Sequence, residues 1–520
     1  MRNSDILPAI AGPVVAFMIA AFALATPPRV LPLSGYSGGN PAPLSEAAAA
    51  PQILDAQFFG PNAQQKLNLP GTAVVSAPDC DATTADGVSE LVIRLQPLYF
   101  NAPIEFTIFD PNAANGGDAE HDGSIWVSQP KLPAPLSASN FGQLQIAIPA
   151  GQPAVVYYRP PSRFILWQQD QGNVVPEIDV SVSAGAKQIA FSSFELVPPD
   201  EALIHGFLSA PASMTTLAAA LAKALPAQSF YVDWSKQDDS GFGATAPLLA
   251  DQVTAQIYRT RNPSLGDRAE TQVDAIGHSM GGLLATWYAM NLGQTPLLNR
   301  TAPFIDGQWD GNLYQYLRPN NFGLGDFRRV VTMDSPYTGT PAADTLASYV
   351  EENDSRTALM AVLLGLGAIG GDGNALYDLS SASQATAIFA STHANVLWLP
   401  IAGQAAPNED ASGLLPAWVQ YFAAIDPNFP SASASALDFF LGGLGLTPTS
   451  SDMVVTVPSQ EDSQSGNTPK YFLVQNVVHT QAESDPGEIN YVLRALGDQS
   501  VSVPGVGPTT PGYSLFNSQY

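Results

Sequence analysis

The sequence predicts an α/β domain built on a parallel-rich central sheet, preceded by an all-β sandwich. Three observations predict it. From about residue 71 to residue 197, short runs alternate apolar and polar residues with turn residues between them and no helical period. From Glu201 onward, short apolar strands alternate with helical patterns, which implies parallel crossover units. Within that second half, Val273-Asp274-Ala275-Ile276-Gly277-His278-Ser279-Met280-Gly281-Gly282-Leu283-Leu284 reads as a buried strand, a tight turn and an apolar helix.

The 520 residues suffice for two to three domains with a full hydrophobic core. Apolar residues make up 45%, an ordinary share, but charged residues only 13%, which is low for a globular chain. The net charge of −26 argues against nucleic acid and anionic membrane surfaces as partners. It suits a protein working in acidic or extracellular surroundings, and equally an ordinary exported bacterial protein. A single cysteine, Cys80, excludes an intramolecular disulfide. Its acidic neighbours Asp79 and Asp81 oppose thiolate formation, so a cysteine nucleophile is not expected.

In chain order, residues 1–25 carry Arg2, an apolar run and a small-x-small ending at Ala23-Leu24-Ala25. This reads as a secretory signal peptide, with an uncleaved N-terminal membrane anchor as the alternative. Residues 26–51 are rich in Pro, Gly, Ser and Ala and read as a tether. Residues 52–197 form the β-domain, of immunoglobulin-like sandwich type, with strands such as Glu90 to Leu95, Pro103 to Phe109, Gln143 to Ile148, Ala154 to Tyr158, Arg163 to Trp167 and Ile178 to Val182. Residues 198–520 form the α/β domain. Strands are expected at 202–204, 230–232, 273–277, 329–333, 396–401 and 471–474, and helices at 214–225, 251–259 and around 489–496. Chemistry in such sheets sits at the carboxyl ends of the strands.

Gly277-His278-Ser279-Met280-Gly281 has the form of a nucleophile elbow, Gly-x-Ser-x-Gly, which strains the serine at the apex of a turn. The pattern alone is weak, since a chain of this length matches by chance on the order of 0.3 times. A second match, Gly35-Tyr36-Ser37-Gly38-Gly39, lies in the tether without strand or helix beside it. Context therefore selects Ser279.

A serine nucleophile needs a base, and the chain has five histidines. His121 lies in the β-domain and reads as a solvated loop residue. His205 ends the first α/β strand, and His278 precedes the serine, so its side chain should project away from it. His393 precedes a strand, at the wrong end. His479 follows a strand and comes last in chain order, as a Ser…Asp/Glu…His arrangement requires. For the orienting acid, Asp452 in Ser451-Asp452-Met453-Val454-Val455 is preferred to Asp410, with Asp462 and Glu461 weaker alternatives.

These residues resemble those of α/β-hydrolase lipases and esterases, particularly secreted bacterial lipases, over residues 201–496. The resemblance rests on His205-Gly206-Phe207, Gly277-His278-Ser279-Met280-Gly281-Gly282, Asp334-Ser335-Pro336-Tyr337-Thr338-Gly339-Thr340, Ser451 to Val455 and Val478-His479-Thr480. It implies a catalytic set of Ser279, Asp452 and His479, with the Phe207 and Met280 N–H groups forming an oxyanion hole. The chain departs from the family at Met453, where glycine is usual, and at Tyr337, where histidine is frequent.

The implied activity is carboxylic ester hydrolysis through an acyl-enzyme. The substrate is an ester or lipid, and no metal or organic cofactor is called for. Apolar segments at 358–369 and 414–446, within possible lid regions 341–390 and 411–448, read either as buried core helices or as lids and acyl-binding walls. They favour medium to long acyl chains. Two alternatives stand: an acyltransferase with the same triad, and a binding protein with a degenerate hydrolase domain. The β-domain's role, whether binding a polymer or cell-surface partner or shielding the catalytic domain, is open.

Overall fold

The computed structural model describes residues 50–55, 80–112, 121–128, 143–162, 164, 167–169, 172–207, 209–237, 240–261, 267–290, 325–344, 374–381, 397–406, 446–447, 450–461, 472–497, 502–503 and 507–508. The leader, most of the tether with Ser37, the candidates Asp410, Asp462 and His393, and most of both proposed lid regions lie outside the described residues. No helix among the described residues is long and apolar enough to cross a membrane.

The N-terminal part contains two sheets. One orders β1 (Gln52–Asp55), β3 (Leu91–Tyr99), β7 (Pro153–Arg159) and β5 (Ser124–Trp126). The other contains β2 (Ala82–Thr84), β4 (Ile104–Phe109), β6 (Gln145–Ile148), β10 (Glu177–Ala184) and β11 (Lys187–Val197). A small hairpin, β8 (Trp167–Gln169) and β9 (Gly172–Val174), stands apart from both. The period-two pattern of β4 buries Ile104, Phe106 and Ile108, and that of β10 buries Ile178, Val180 and Val182. They share one apolar core with Leu91, Ile93, Val156 and Tyr158 of the first sheet. Cys80 is buried in this core; burial first, and then the Asp55 carboxylate, push its thiol well above the ordinary range.

The second part is a six-stranded parallel sheet. Its order is β13 (Ser229–Val232), β12 (Glu201–Ile204), β15 (Val273–His278), β16 (Phe327–Met333), β17 (Leu397–Gln404) and β18 (Phe472–Gln475). The three strands β12, β15 and β16 are buried along their whole length, because helices cover both faces. Ala202, Ile204, Val273 and Ala275 face α2 (Phe242–Arg261) and α3 (Met280–Met290). Leu203, Ile276, Val331 and Leu399 face α1 (Thr215–Ala224) and the C-terminal helix Pro486–Leu496. Short helices α4 (Asn374–Asp378) and α5 (Val457–Gln460) precede that last one, α6.

Two of the helices extend past the sequence expectation. α2 starts nine residues ahead of the expected Asp251 and carries Pro247 inside it, a residue that argues against helix when read locally. α6 starts at Pro486, where Asp485 caps it by accepting from the Gly487 and Glu488 N–H groups. Its far end is closed by buried Arg329, whose Nη1 donates to the Ala495 and Leu496 carbonyls at 2.9 and 2.8 Å.

The two parts are joined by more than one crossing of the chain. β11 passes through residues 198–200 into β12. A two-residue strand, β14 (Arg268–Ala269), pairs in parallel with β2 in the N-terminal sheet before the chain enters β15. Sequence alternation cannot reveal a strand this short. It stitches the α/β segment into the edge of the β-sheet.

Candidate active site

The site hangs on the carboxyl ends of β12, β15, β16, β17 and β18. Ser279 follows β15 with φ of 53°, a left-handed conformation that costs a non-glycine residue on the order of 1–2 kcal/mol. The turn is held because the Ser279 N–H donates to the Met333 carbonyl at 2.8 Å and α3 starts at once behind it. The glycines are needed for close approach. A Cβ on Gly277 would lie 2.4 Å from Gly282 Cα, and one on Gly281 would lie 2.3 Å from the Ile204 and His205 carbonyl oxygens.

The residues chosen by chain order come together. His479 Nε2 is 2.8 Å from Ser279 Oγ, and His479 Nδ1 is 2.7 Å from Asp452 Oδ2. The carboxylate beside Nδ1 places the ring proton there and leaves Nε2 as the acceptor for the serine hydroxyl. All three residues are buried. Asp452 lies far along the chain from β17 yet returns to its end, where the Ala405 N–H donates to the Ser451 carbonyl at 2.9 Å. Its Oδ1 accepts from the Val454 and Val455 N–H groups at 2.8 and 2.7 Å, and its Oδ2 also accepts from Gln460 Nε2 at 3.0 Å. Every lone pair that points away from His479 is therefore engaged, and the carboxylate cannot rotate.

Met453-Val454-Val455, the short apolar run after Asp452, forms a tight turn closed by a bridge between Ser451 and Thr456. Met453 takes φ of 79° in it, which is the conformation that a glycine at this position would meet without strain. The Asp334 to Thr340 motif braces this turn from the side. Ser459 Oγ donates to the Gly339 carbonyl at 2.7 Å, and Thr340 Oγ1 donates to the Val454 carbonyl at 2.5 Å. Tyr337 is fully buried; its hydroxyl lies 2.8 Å from Thr332 Oγ1 and accepts from Trp398 Nε1 at 2.7 Å. It is a packing and hydrogen-bonding residue beneath the site.

On the other flank, Met280 is the first residue of α3, so its N–H has no intrahelical acceptor. Phe207 follows Gly206, and a Cβ on Gly206 would lie 3.1 Å from Ser279 Cβ, so the Gly206–Phe207 peptide runs alongside the serine. His205 stacks on Trp234 with ring centroids 4.6 Å apart and planes within 5°, and its Nδ1 lies 2.9 Å from the Gly206 carbonyl oxygen. Burial holds its pKa below the ordinary imidazole value. His121 lies in the β-domain, ahead of β5.

Several contacts beside the site were not marked by the sequence. Gln460 bridges the acid to the sheet, since its Oε1 accepts from the Gly403 N–H at 2.7 Å. Asp334 and Glu488 meet over Gly403, where a Cβ would come within 2.7 Å of Asp334 Oδ1 and 3.0 Å of Glu488 Oε1. Burial first, then the charge of Asp452, pushes the Asp334 carboxyl well above the ordinary range, and burial first, then the charge of Asp334, does the same to Glu488. His278 and Glu483 form a buried ion pair of 2.9 Å. None of these pairs has a local motif; each joins residues on elements distant in the chain. His278, Asp334 and His479 offer potential ligand atoms within 4.8 Å of one another. Both ring nitrogens of His479 are already engaged, so the arrangement suits proton transfer rather than metal binding.

The fold thus defines a doubly wound parallel α/β protein with a strained serine at the turn from its central strand into a helix. No protein-family model matches the chain, and no curated protein matches it. Among solved structures it is similar to lipase 1 from Pelosinus fermentans, with 15% identity and a TM-score of 0.36 over 56% of this chain and 95% of that one. It is also similar to the mature lipase BlEst2 of Bacillus licheniformis, at 12% identity and a TM-score of 0.29, over 54% of this chain and 85% of that one. An α/β hydrolase from Sphaerobacter thermophilus aligns at 16% identity and a TM-score of 0.23, over 50% and 86% of the two chains. At such scores the likeness says nothing about chemistry, which the residues themselves must carry.

Proposed function

We propose that this chain is a carboxylic ester hydrolase of α/β-hydrolase type that works through an acyl-enzyme on Ser279. One observation carries the reading: the unbroken relay from Ser279 Oγ through His479 to Asp452, with spacings of 2.8 and 2.7 Å. His479 takes the serine proton as Oγ attacks the ester carbonyl. The Phe207 and Met280 N–H groups receive the oxyanion, each such donor being worth about 3 kcal/mol in the transition state. Protonated His479 then gives its proton to the leaving alcohol, and water, activated by the same imidazole, releases the acid. Asp452 stays ionised and stabilises the imidazolium.

The finer reading is a lipase-like preference for medium to long acyl chains, resting on the Leu, Phe and Trp content of residues 358–369 and 414–446. The export reading rests on residues 1–25, and the β-domain is taken as an immunoglobulin-like sandwich. A series of p-nitrophenyl esters tests both levels. Ester hydrolysis that is absent in Ser279→Ala supports the acyl-enzyme. Each added buried methylene contributes about 0.8 kcal/mol, so kcat/KM should rise some hundredfold from C4 to C8. A steady fall from C2 to C10 would remove the lipase preference and leave a small-ester hydrolase.

A further inference from the structure

His278 was set aside by sequence reasoning because its side chain should turn away from the serine. It does turn away, and it meets the base from behind. Its Nε2 lies 3.0 Å from the His479 carbonyl oxygen, and the two rings sit 4.8 Å apart. Its Nδ1 forms the 2.9 Å ion pair with Glu483 Oε1. Glu483 belongs to the same 3-10 turn as His479, residues His479–Ser484, and also accepts from Ser213 Oγ at 2.9 Å. Ser213 lies in the 3-10 turn Pro211–Met214, just after the His205-Gly206-Phe207 segment.

Resting on the ester-hydrolase reading, we propose that His278 and Glu483 are a positioning pair that holds the His479 turn against the nucleophile elbow. The backbone of His479 is gripped at both ends. Its N–H donates to the Asp452 carbonyl at 3.0 Å, and its carbonyl accepts from His278. With both peptide groups fixed, the Cα–Cβ bond of His479 can point only toward Ser279 and Asp452. A displacement of about 1 Å in such a constellation is enough to cost a hundredfold in rate.

The charge state of the pair agrees with this role. Burial pulls the His278 pKa down, but Glu483 outweighs it, with Asp334 and Asp452 adding to the effect, and the pKa rises to about 9. Burial acts on Glu483 in the opposite sense and is likewise outweighed, chiefly by His278, so this carboxyl lies below the ordinary value. His278 is then an imidazolium at neutral pH, with both ring N–H groups available to donate. The charged or titratable groups that face His479 are Asp452, Glu483, Asp334 and His278, and of these only His278 is cationic.

The test uses the full chain and counts active sites with a p-nitrophenyl phosphonate that labels Ser279, so that kcat is expressed per reactive site. His278→Ala should lower kcat per labelled site by about tenfold to a hundredfold while KM changes little. His278→Gln keeps an amide donor near the Nε2 position and should restore most of that loss. Both substitutions remove a cation beside His479, so the acid limb of kcat/KM should move to higher pH. A kcat per site that is unchanged in His278→Ala, or a glutamine variant as impaired as the alanine, would overturn the positioning role. So would an acid limb that stays where it was in His278→Gln. Should the wild-type chain take up no phosphonate at Ser279, the hydrolase reading itself fails and the pair's role falls with it.

Discussion

The two ends of the parallel sheet both carry buried charge, and the difference lies in which cations answer the carboxylates. At the amino ends the cations are arginines. Arg328 pairs with Asp274, and its Nη1 reaches across to donate to the Ala85 carbonyl of the β-domain at 2.8 Å. Arg268 pairs with Asp200, and Arg261 pairs with Asp55 at 2.7 Å. At the carboxyl ends the carboxylates face histidines: Asp452 faces His479, and Glu483 faces His278. A guanidinium never gives up its proton, whereas an imidazole can. Fixed cations make the amino end a seam between the two parts of the molecule. Titratable ones make the carboxyl end a place where a proton can move.

The seam extends beyond the arginines. Asp86 accepts from the Val88 and Ser89 N–H groups at 2.8 and 2.7 Å and from both Thr84 Oγ1 and Ser89 Oγ. Ser89 Oγ in turn lies 3.1 Å from Thr271 Oγ1, between β14 and β15. These contacts tie the N-terminal sheets to the parallel sheet.

The largest expected effect is at the carboxyl end. Ser279→Ala should lower kcat for ester hydrolysis by on the order of 10⁶, as loss of a member of such a relay does elsewhere. The melting temperature should hold or rise, because alanine removes no buried contact partner other than His479. Comparing kcat with thermal unfolding of the same sample checks both halves. Next comes Asp452→Asn. It should cost on the order of 10⁴ in kcat, because an amide no longer fixes the Nδ1–H tautomer of His479. Mild loss there, with a crippling Asp410→Asn, would move the acid to the other candidate.

Breaking the seam should do the reverse. Arg328→Ala leaves Asp274 buried without its cation, which costs about 3–5 kcal/mol of stability. The turnover of molecules that remain folded should be unchanged, since Arg328 lies at the opposite end of β16 from the site. Urea unfolding and phosphonate-titrated kcat measure the two quantities separately. A variant that is stable but slow would mean that the two ends are coupled through β15 and β16.

Much of the site was legible because its parts are local or ordered along the chain. The elbow is a contiguous motif, and His479 could be chosen by its place after a strand and before the last helix. Asp452 was legible for a different reason. Its turn carries a motif, although Met453 stands where the backbone at φ of 79° would suit glycine. The seam was not legible. β14 is two residues long and shows no alternation, and the arginine partners lie tens to hundreds of positions apart in the chain. The partners of His278 were hidden for the same reason: the sequence shows which way its side chain leaves β15, but not that Glu483 and the His479 carbonyl wait there. Burial decides these pairings, and burial is a property of the folded sheet rather than of any window of residues.

The smallest expected effect is a pH dependence of stability, and it isolates the amino end. Glu201, at the start of β12, is buried and bonds to Ser229 Oγ at 2.5 Å. Burial, opposed by that hydrogen bond and reinforced by Asp274 and Asp200, raises its pKa from the ordinary 4.5 to about 8. In the folded protein the carboxyl keeps a proton that the unfolded chain releases above its ordinary value. Its contribution to stability is therefore complete below about pH 4.5 and is lost as pH rises through about 8. The wild-type melting temperature should fall across this window, by roughly 1 °C for each kcal/mol of stability lost in a chain of this length. Asp334 and Glu488 at the other end of the sheet, and Glu270 beside Arg268, act in the same direction, so the wild-type slope alone does not locate its source. Glu201→Gln does. Its glutamine cannot ionise, so the variant should match the wild type more closely at pH 5 and gain on it by pH 8, with kcat per labelled site the same as in the wild type at each pH. A variant whose melting curve runs parallel to that of the wild type from pH 5 to 9 would assign the slope to these other carboxyls instead.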